Sequence, residues 1–248
     1  MFSRNLNLVR ADPNDYDPYW GSTVLLLGFE NNLTDDSLRA NSLTVTGAIT
    51  YNTTTVKYDT YSGFINSGSN YLNLASTSSF FFGTGDFTVE TWINVPGTRW
   101  ASGNVCVFDT AQKNNGVDGG PNFFGLSTSN ANVTAFRTAI YNNSAWGFVT
   151  NNTVLGLNTW HHCVWGRGNG KMYFGQNGVI QLATGTDTKN YFPYSVKIKQ
   201  DFFNEYGYQV YFDEFRVTNG RWRYGSIAGT TAGTTATYTT PTTRFPRK

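Results

Sequence analysis

Apolar residues in this chain fall into short runs set apart by Gly, Asn, Pro, Ser and Thr, and none of the runs carries the spacing of a helical stripe. The runs are VLLLGF (24–29), SLTVTGAITY (42–51), YSGFINSGSNYLNLA (61–75), DFTVETWINV (86–95), NVCVFDT (104–110), NFFGLSTS (122–129), NVTAFRTAIY (132–141), WGFVT (146–150), WHHCVWGRG (160–168), KMYFGQNGVIQLA (171–183) and YQVYFDEFRVTNG (208–220). Regular recurrence with turn residues between predicts an all-β antiparallel sandwich or barrel. In 86–95 the period of two puts Phe87, Val89, Thr91, Ile93 and Val95 on one face and Thr88, Glu90, Trp92 and Asn94 on the other, and the first face is the core. Likewise Trp160, His162 and Val164 share a face opposite to His161, Cys163 and Trp165. Asn169-Gly170 and Asn177-Gly178 flank MYFGQ, and such pairs tolerate the positive φ of tight hairpins, which predicts a meander there. The predicted core contains Leu26, Phe87, Val89, Ile93, Val164 and Phe215.

Composition agrees with the pattern. Aromatics make up 17% of the 248 residues and charged residues only 14%, so Thr, Ser, Asn and Gly must supply the polar surface, as in β-proteins. The length fits one large sandwich. A net charge of +2 sets up no strong field, so neither nucleic acid nor an anionic membrane is demanded as a partner. Charge is uneven, however: Arg216, Arg221, Arg223, Arg244, Arg247 and Lys248 are followed by no acid after Glu214. That stretch reads either as a solvated tail or as a contact to an acidic protein surface. The opening MFSRNLNLVRADPNDYD has no apolar core of a leader, which predicts synthesis in a cytoplasm without a signal peptide. No run approaches the roughly 20 apolar residues that span a bilayer. Cys106 and Cys163 sit inside apolar strands and are expected to be reduced and buried.

Residues 1–20, rich in Asn, Asp and Pro, read as an N-terminal arm, and 21–224 as the sandwich. Residues 225–248 read as a Thr/Ala/Gly-rich C-terminal tail, too poor in apolar residues to build a core but able to lie extended on the domain or to dock it elsewhere.

Four stretches carry a family resemblance. DPYWGSTVLLLGFENNLTDDS (17–37), SNYLNLASTSSFFFGTGDFTVETWI (69–93), NTWHHCVWGRGNGKMYFGQNGV (158–179) and VYFDEFRVTNGRWRY (210–224), with the ending YTTPTTRFP (238–246), resemble the laminin G-like, concanavalin A-like lectin/glucanase domains of tailed bacteriophages, notably cyanophages. The resemblance implies a concanavalin A-like antiparallel β-sandwich (jelly roll). It also implies a virion structural protein, such as a capsid decoration, head fibre or tail component. Its partners would then be other virion proteins, met through the N-terminal arm and C-terminal tail, and host surface polysaccharide. The arm and the Thr/Ala/Gly segment depart from the family pattern. A receptor-recognition adhesin of the tail is the alternative, with a glycan hydrolase behind it.

The candidate chemistry is sparse. A glycan-cleaving site needs two carboxylates about 5 to 10 Å apart on one face. The E-x-D-x-x-E strand of the glucanase relatives is missing, Glu90 is alone in its strand, and Asp213 and Glu214, being adjacent, are expected on opposite faces. No catalytic residue is therefore predicted, and Asp213 is expected to hold backbone or a basic group. His161 and His162 point to opposite faces of a strand and cannot share a tetrahedral zinc. The polar loop DTAQKNNGVDGGPN (109–122) is the remaining candidate, either as a binding loop or as a solvated one. Asn114, Asn115 and Asp118 offer donors and acceptors to a glycan, Trp100 and Trp146 a ring face, and Asp109 and Asp118 are candidate calcium ligands. No other cofactor is implied.

Overall fold

The computed structural model describes residues 16–67, 69–74, 78–97, 104–110, 122–129, 132–142, 145–151, 155–184, 186–192, 196–199 and 209–248, with side chains left undescribed at 104–106, 122–151 and 184. Among these residues there is no α-helix, only two short 3-10 turns at Trp20–Ser22 and Ser78–Phe80. The strands in chain order are β1 (Thr23–Leu27), β2 (Leu43–Thr46), β3 (Thr50–Asn52), β4 (Ser62–Ile65), β5 (Tyr71–Leu74), β6 (Phe87–Asn94), β7 (Asn104–Asp109) and β8 (Asn122–Ser129). They continue with β9 (Asn132–Asn142), β10 (Ala145–Asn151), β11 (Trp160–Gly168), β12 (Lys171–Gln176), β13 (Val179–Thr184), β14 (Val196–Ile198), β15 (Val210–Asn219) and β16 (Thr235–Thr237).

All described pairings are antiparallel, and they make two sheets. One runs β16-β13-β12-β11-β6-β15-β4-β3, with β1 also pairing β15; the other runs β10-β9-β8-β7-β14-β5-β2. Both Asn-Gly pairs make the predicted tight turns: Asn169 and Gly170 have φ of 52° and 68°, and Asn177 and Gly178 have φ of 46° and 91°. Two consecutive residues at positive φ match the right-handed twist of the flanking strands, which is why β11, β12 and β13 form the meander.

The two sheets face each other across one core. Phe87, Val89, Ile93, Cys163, Trp165, Phe212 and Phe215 come from the first sheet, and Leu72, Leu74, Phe108, Val196 and Ile198 from the second. Phe108 and Phe215 meet across the gap with ring centroids 5.9 Å apart. Cys163 lies in this core as a free thiol, which burial makes still harder to ionise; the Cys106 side chain falls outside the described residues.

Two predicted core residues lie elsewhere. Leu26 and Val164 are fully buried, but Leu26 pairs in register with Arg216 and Val164 with Glu90, on the face of the first sheet turned away from the second. That outer face is dry as well, because the closing part of the chain covers it. Residues 225–243 do not form a core of their own, yet Ile227, Ala236 and Tyr238 join Tyr173, Ile180 and Leu182 in a second apolar cluster there. β16 hydrogen-bonds along β13 and so pairs an otherwise exposed sheet edge. At the start of the described chain, Tyr16 is exposed but Asp17 is buried, and its backbone N–H donates to the Lys248 carbonyl at 2.7 Å.

Candidate functional site

The outer face of the first sheet holds the densest group of ionisable side chains. The pleat of β6 points Thr88, Glu90, Trp92 and Asn94 outward, and strand register sets Val164 and Arg216 beside Glu90 and His162 and Asp213 beside Trp92. Glu90 is fully buried. Its Oε1 accepts from Arg216 Nε at 2.9 Å, its Oε2 accepts from the Tyr224 hydroxyl, and His162 Nε2 lies 3.4 Å away. Burial by itself would raise the Glu90 pKa, but Arg216, His162 and Arg223 together outweigh it and hold the carboxyl far below the usual range. Burial keeps His162 below its ordinary value, hence neutral, in spite of Glu90. Arg223 grips Asp17 in a two-pronged fork, with both N···O distances 2.8 Å. For Asp17 too burial opposes ionisation, and Arg223 and Arg216 overcome it.

Residues 221–248 roof this network. Trp222 stacks on Tyr173 with centroids 4.9 Å apart and planes 17° from parallel. It can lie this low because β11 has glycine beneath it: a Cβ at Gly168 would stand 2.6 Å from the Trp222 ring. The Tyr238 hydroxyl and His162 Nδ1 are 2.9 Å apart, and the Phe245 ring sits 4.0 Å from the Arg216 guanidinium carbon. Phe245 N–H donates to Glu214 at 2.7 Å, Arg247 forks onto the same carboxylate and also meets Asp36 at 3.2 Å, and Tyr58 donates its hydroxyl proton to the Pro241 carbonyl at 2.8 Å.

The expectation that Asp213 and Glu214 face opposite ways is overturned. β15 carries a bulge between Asp213 and Arg216, and Glu214 takes φ of 50°, so strict alternation fails there. Both carboxylates reach the covering layer. Glu214 bonds the tail, and Asp213 Oδ2 accepts from the backbone N–H groups of Lys57 and Tyr58 at 3.0 and 3.1 Å. Asp213 Oδ1 is buried without a hydrogen bond, and burial pushes the pKa of this acid up to about 8 against the pull of those two N–H groups. Lys57 Nζ lies 3.9 Å over the Trp92 ring.

A glycosidase pair must meet its substrate, and here the central carboxylate is roofed, ion-paired and dry. The arrangement fastens the end of the chain to its middle. The basic C-terminal stretch, read from sequence as a solvated tail or a contact to an acidic surface, finds its acids within the same chain: Asp17, Asp36, Asp59, Glu90 and Glu214. Arg216, Arg223 and Tyr224 went unrecognised as Glu90 partners, and Tyr238 as the partner of His162. The advance signal was that run of cations with no acid after Glu214.

Of the predicted loop site, Asp109 and the strand position of Trp146 lie among the described residues, both on the second sheet. Asp109 ends β7, buried, in register with Lys197 and Asn122. Trp146 lies on β10 opposite Tyr141 of β9. Trp100, Asn114, Asn115 and Asp118 fall outside the described residues, so the grouping of these side chains remains a proposal. Among the described residues no three His, Cys, Asp or Glu side chains gather as metal ligands, and no helix is long and apolar enough to cross a membrane.

A family model described as the concanavalin A-like lectin/glucanases superfamily matches residues 66–240. No curated protein matches in sequence. Among solved structures, the chain is similar to the binding domain of Paraclostridial Mosquitocidal Protein 1, with a TM-score of 0.64 and 12% identity over 83% of this chain and 50% of that one. It is similar also to the binding domain of botulinum neurotoxin DC in complex with SialylT, with a TM-score of 0.58 and 13% identity over 81% of this chain and 48% of that one. A third is a botulinum neurotoxin type C structure described as interacting with two ganglioside molecules, with a TM-score of 0.56 and 14% identity over 81% and 48% of the two chains. The chain spans about half the length of each, and at these identities the likeness establishes the fold.

Proposed function

The chain belongs to the concanavalin A-like lectin/glucanases superfamily, and from that premise we propose that it is a non-catalytic, lectin-like recognition module of a bacteriophage virion. In this reading it docks other virion proteins and adheres to host surface polysaccharide. The observation that carries the non-catalytic part is the roofed sheet face: Glu90 has no exposed surface and its carboxylate is held by Arg216 and Tyr224. With that face filled by the chain itself, ligand contact falls to loops and edges, where sandwich folds can vary without loss of the scaffold. The toxin neighbours support a binding role, since their structures are described as binding domains, one of them in a complex with SialylT. The virion setting rests on the sequence resemblance to phage domains. Location on the particle, and the 109–122 loop with Asp109 and Asp118 as calcium ligands, belong to the same proposal.

The experiment is a binding and turnover assay of the purified chain on host surface polysaccharide, with and without calcium. The expected result is retention of polysaccharide with no release of reducing ends. Release that disappears in a folded Glu90→Gln variant would make the protein a hydrolase. Loss of binding in Asp118→Ala and Trp146→Ala locates the site on the loop, and unchanged binding in both removes it.

A further inference from the structure

We infer that a cavity beside the start of β1 is a binding site for an acidic sugar, one bearing a carboxylate or sulfate, with Arg39 as the anchor; the inference rests on the glycan-recognition reading above and names its ligand class. The cavity has a volume of about 200 Å³ and is lined by Ser22, Arg39, Ser78, Ser79 and Asn219 together with Gly21 and Val24. Among the described residues, Arg39 is its one charged lining residue and no acid lines it.

The acids nearest Arg39 in sequence are already engaged. Asp35 accepts from the backbone N–H groups of Leu26, Ser37 and Asn41 and from the Asn41 side chain, at 2.7 to 3.0 Å. Asp36 pairs with Arg247. Arg39 is held by its backbone, through N–H donation to Ser37 Oγ at 3.2 Å, while its guanidinium makes no hydrogen bond or ion pair among the described residues. An exposed cation in a polar recess, on a loop fixed from both sides, presents a planar donor fork that suits a carboxylate or sulfate.

The rest of the wall is also set in advance. Asn219 Nδ2 donates to the carbonyls of Ser79 and Phe81 at 2.8 and 3.0 Å, which fixes the turn that carries both serines. Ser22 N–H donates to the Tyr19 carbonyl at 2.9 Å. Hydroxyls of Ser22, Ser78 and Ser79 both donate and accept, which matches sugar hydroxyls. Phe81, tied to this wall through its carbonyl, is 44% exposed and offers an apolar ring edge nearby. The volume lies under the roughly 300 Å³ floor of pockets for drug-sized ligands, so one sugar ring with its anionic group fits and a longer segment must run out over the surface. A second cavity, of about 290 Å³, provides the contrast: there Arg244 pairs with Asp59 and Arg247 with Asp36, while Glu30 accepts from the backbone N–H groups of Thr60 and Tyr61, so neither cation is left for an anionic ligand.

The test is calorimetric titration of the full chain with matched oligosaccharides, one neutral, one uronate-bearing and one sulfated, and with inorganic sulfate alone. The acidic sugars are expected to bind more tightly than the neutral one. Arg39→Ala should weaken them about tenfold or more, the scale of losing a charge-assisted hydrogen-bonded pair, while Tm is unchanged because the side chain holds nothing in place. Arg39→Lys should recover part of the loss and Ser79→Ala should weaken binding a few-fold. Acidic sugars that bind Arg39→Ala as tightly as the parent, or a preference for the neutral sugar, would overturn the site and leave glycan recognition standing. Inorganic sulfate bound as tightly as the sulfated sugar would make this a bare anion site and refute the sugar. Binding of no saccharide at all would remove the glycan reading itself, and this site with it.

Discussion

Glu90 illustrates how one side chain is decided by distant partners. Arg216 and Tyr224, 126 and 134 positions away in sequence, make its ionised form tolerable in a dry site. Removing one member of a buried ion pair leaves the other charge uncompensated, so Glu90→Gln is expected to lose about 3 to 5 kcal/mol, a fall in Tm on the order of 10 °C. Urea and thermal unfolding of the variant check this, and a change under about 1 kcal/mol, the worth of an exposed pair, would show the network to be loosely held. Asp213 responds to pH in the opposite sense to a salt-bridged acid. Its pKa in the folded chain is about 8, against an ordinary value of 3.8. Between those values the folded protein keeps a proton that the unfolded chain releases, so this residue's contribution is full below about pH 4 and is lost as pH rises toward 8. Asp213→Asn, which keeps an oxygen for the Lys57 and Tyr58 N–H groups, should match the parent below about pH 4 and gain on it as pH rises to about 8. Urea titrations at three pH values test that, and a constant difference would refute it.

At the scale of elements, the central strands of the first sheet are covered on both sides, which a half-exposed antiparallel sheet would not need. β11 meets this with Trp165 toward the core and Gly166 and Gly168 toward the roof, where Trp222 fits against bare backbone. Gly168→Ala would drive a methyl into that ring and is expected to cost about 1 to 3 kcal/mol, as overpacking does. Near-UV circular dichroism should show the tryptophan environment change, while the far-UV strand signal is kept. The strands themselves were readable in the sequence: the two Asn-Gly turns, the alternation in β6 and the core side of Phe87, Val89 and Ile93 depend on residues that are neighbours in the chain. The bulge at Glu214 was not, because adjacent acids in a strand carry no mark of a broken pleat. It is favoured by bonds to Phe245 and Arg247, more than thirty positions further on.

For the molecule as a whole, the closing segment is a structural layer. It pairs an edge strand, completes an apolar cluster and neutralises Glu214 on the outer face. Removal of residues 225–248 is therefore expected to expose that face, giving dye binding to apolar surface and a broadened, lower thermal transition; a sharp transition at the parent temperature would mean the layer is dispensable. The sequence by itself determined the class of fold, the order of strands along the chain and the face of β6 that meets the core, because period and turn chemistry are local properties. Only the tertiary structure decided that Leu26 and Val164 are buried on the outer side, that the acid-free basic stretch is answered by acids of the same chain, and that Arg39 is left facing a polar cavity. Each of these depends on which distant segments come together, as when Arg223 meets Asp17 across 206 positions, and local pattern holds no record of such pairings.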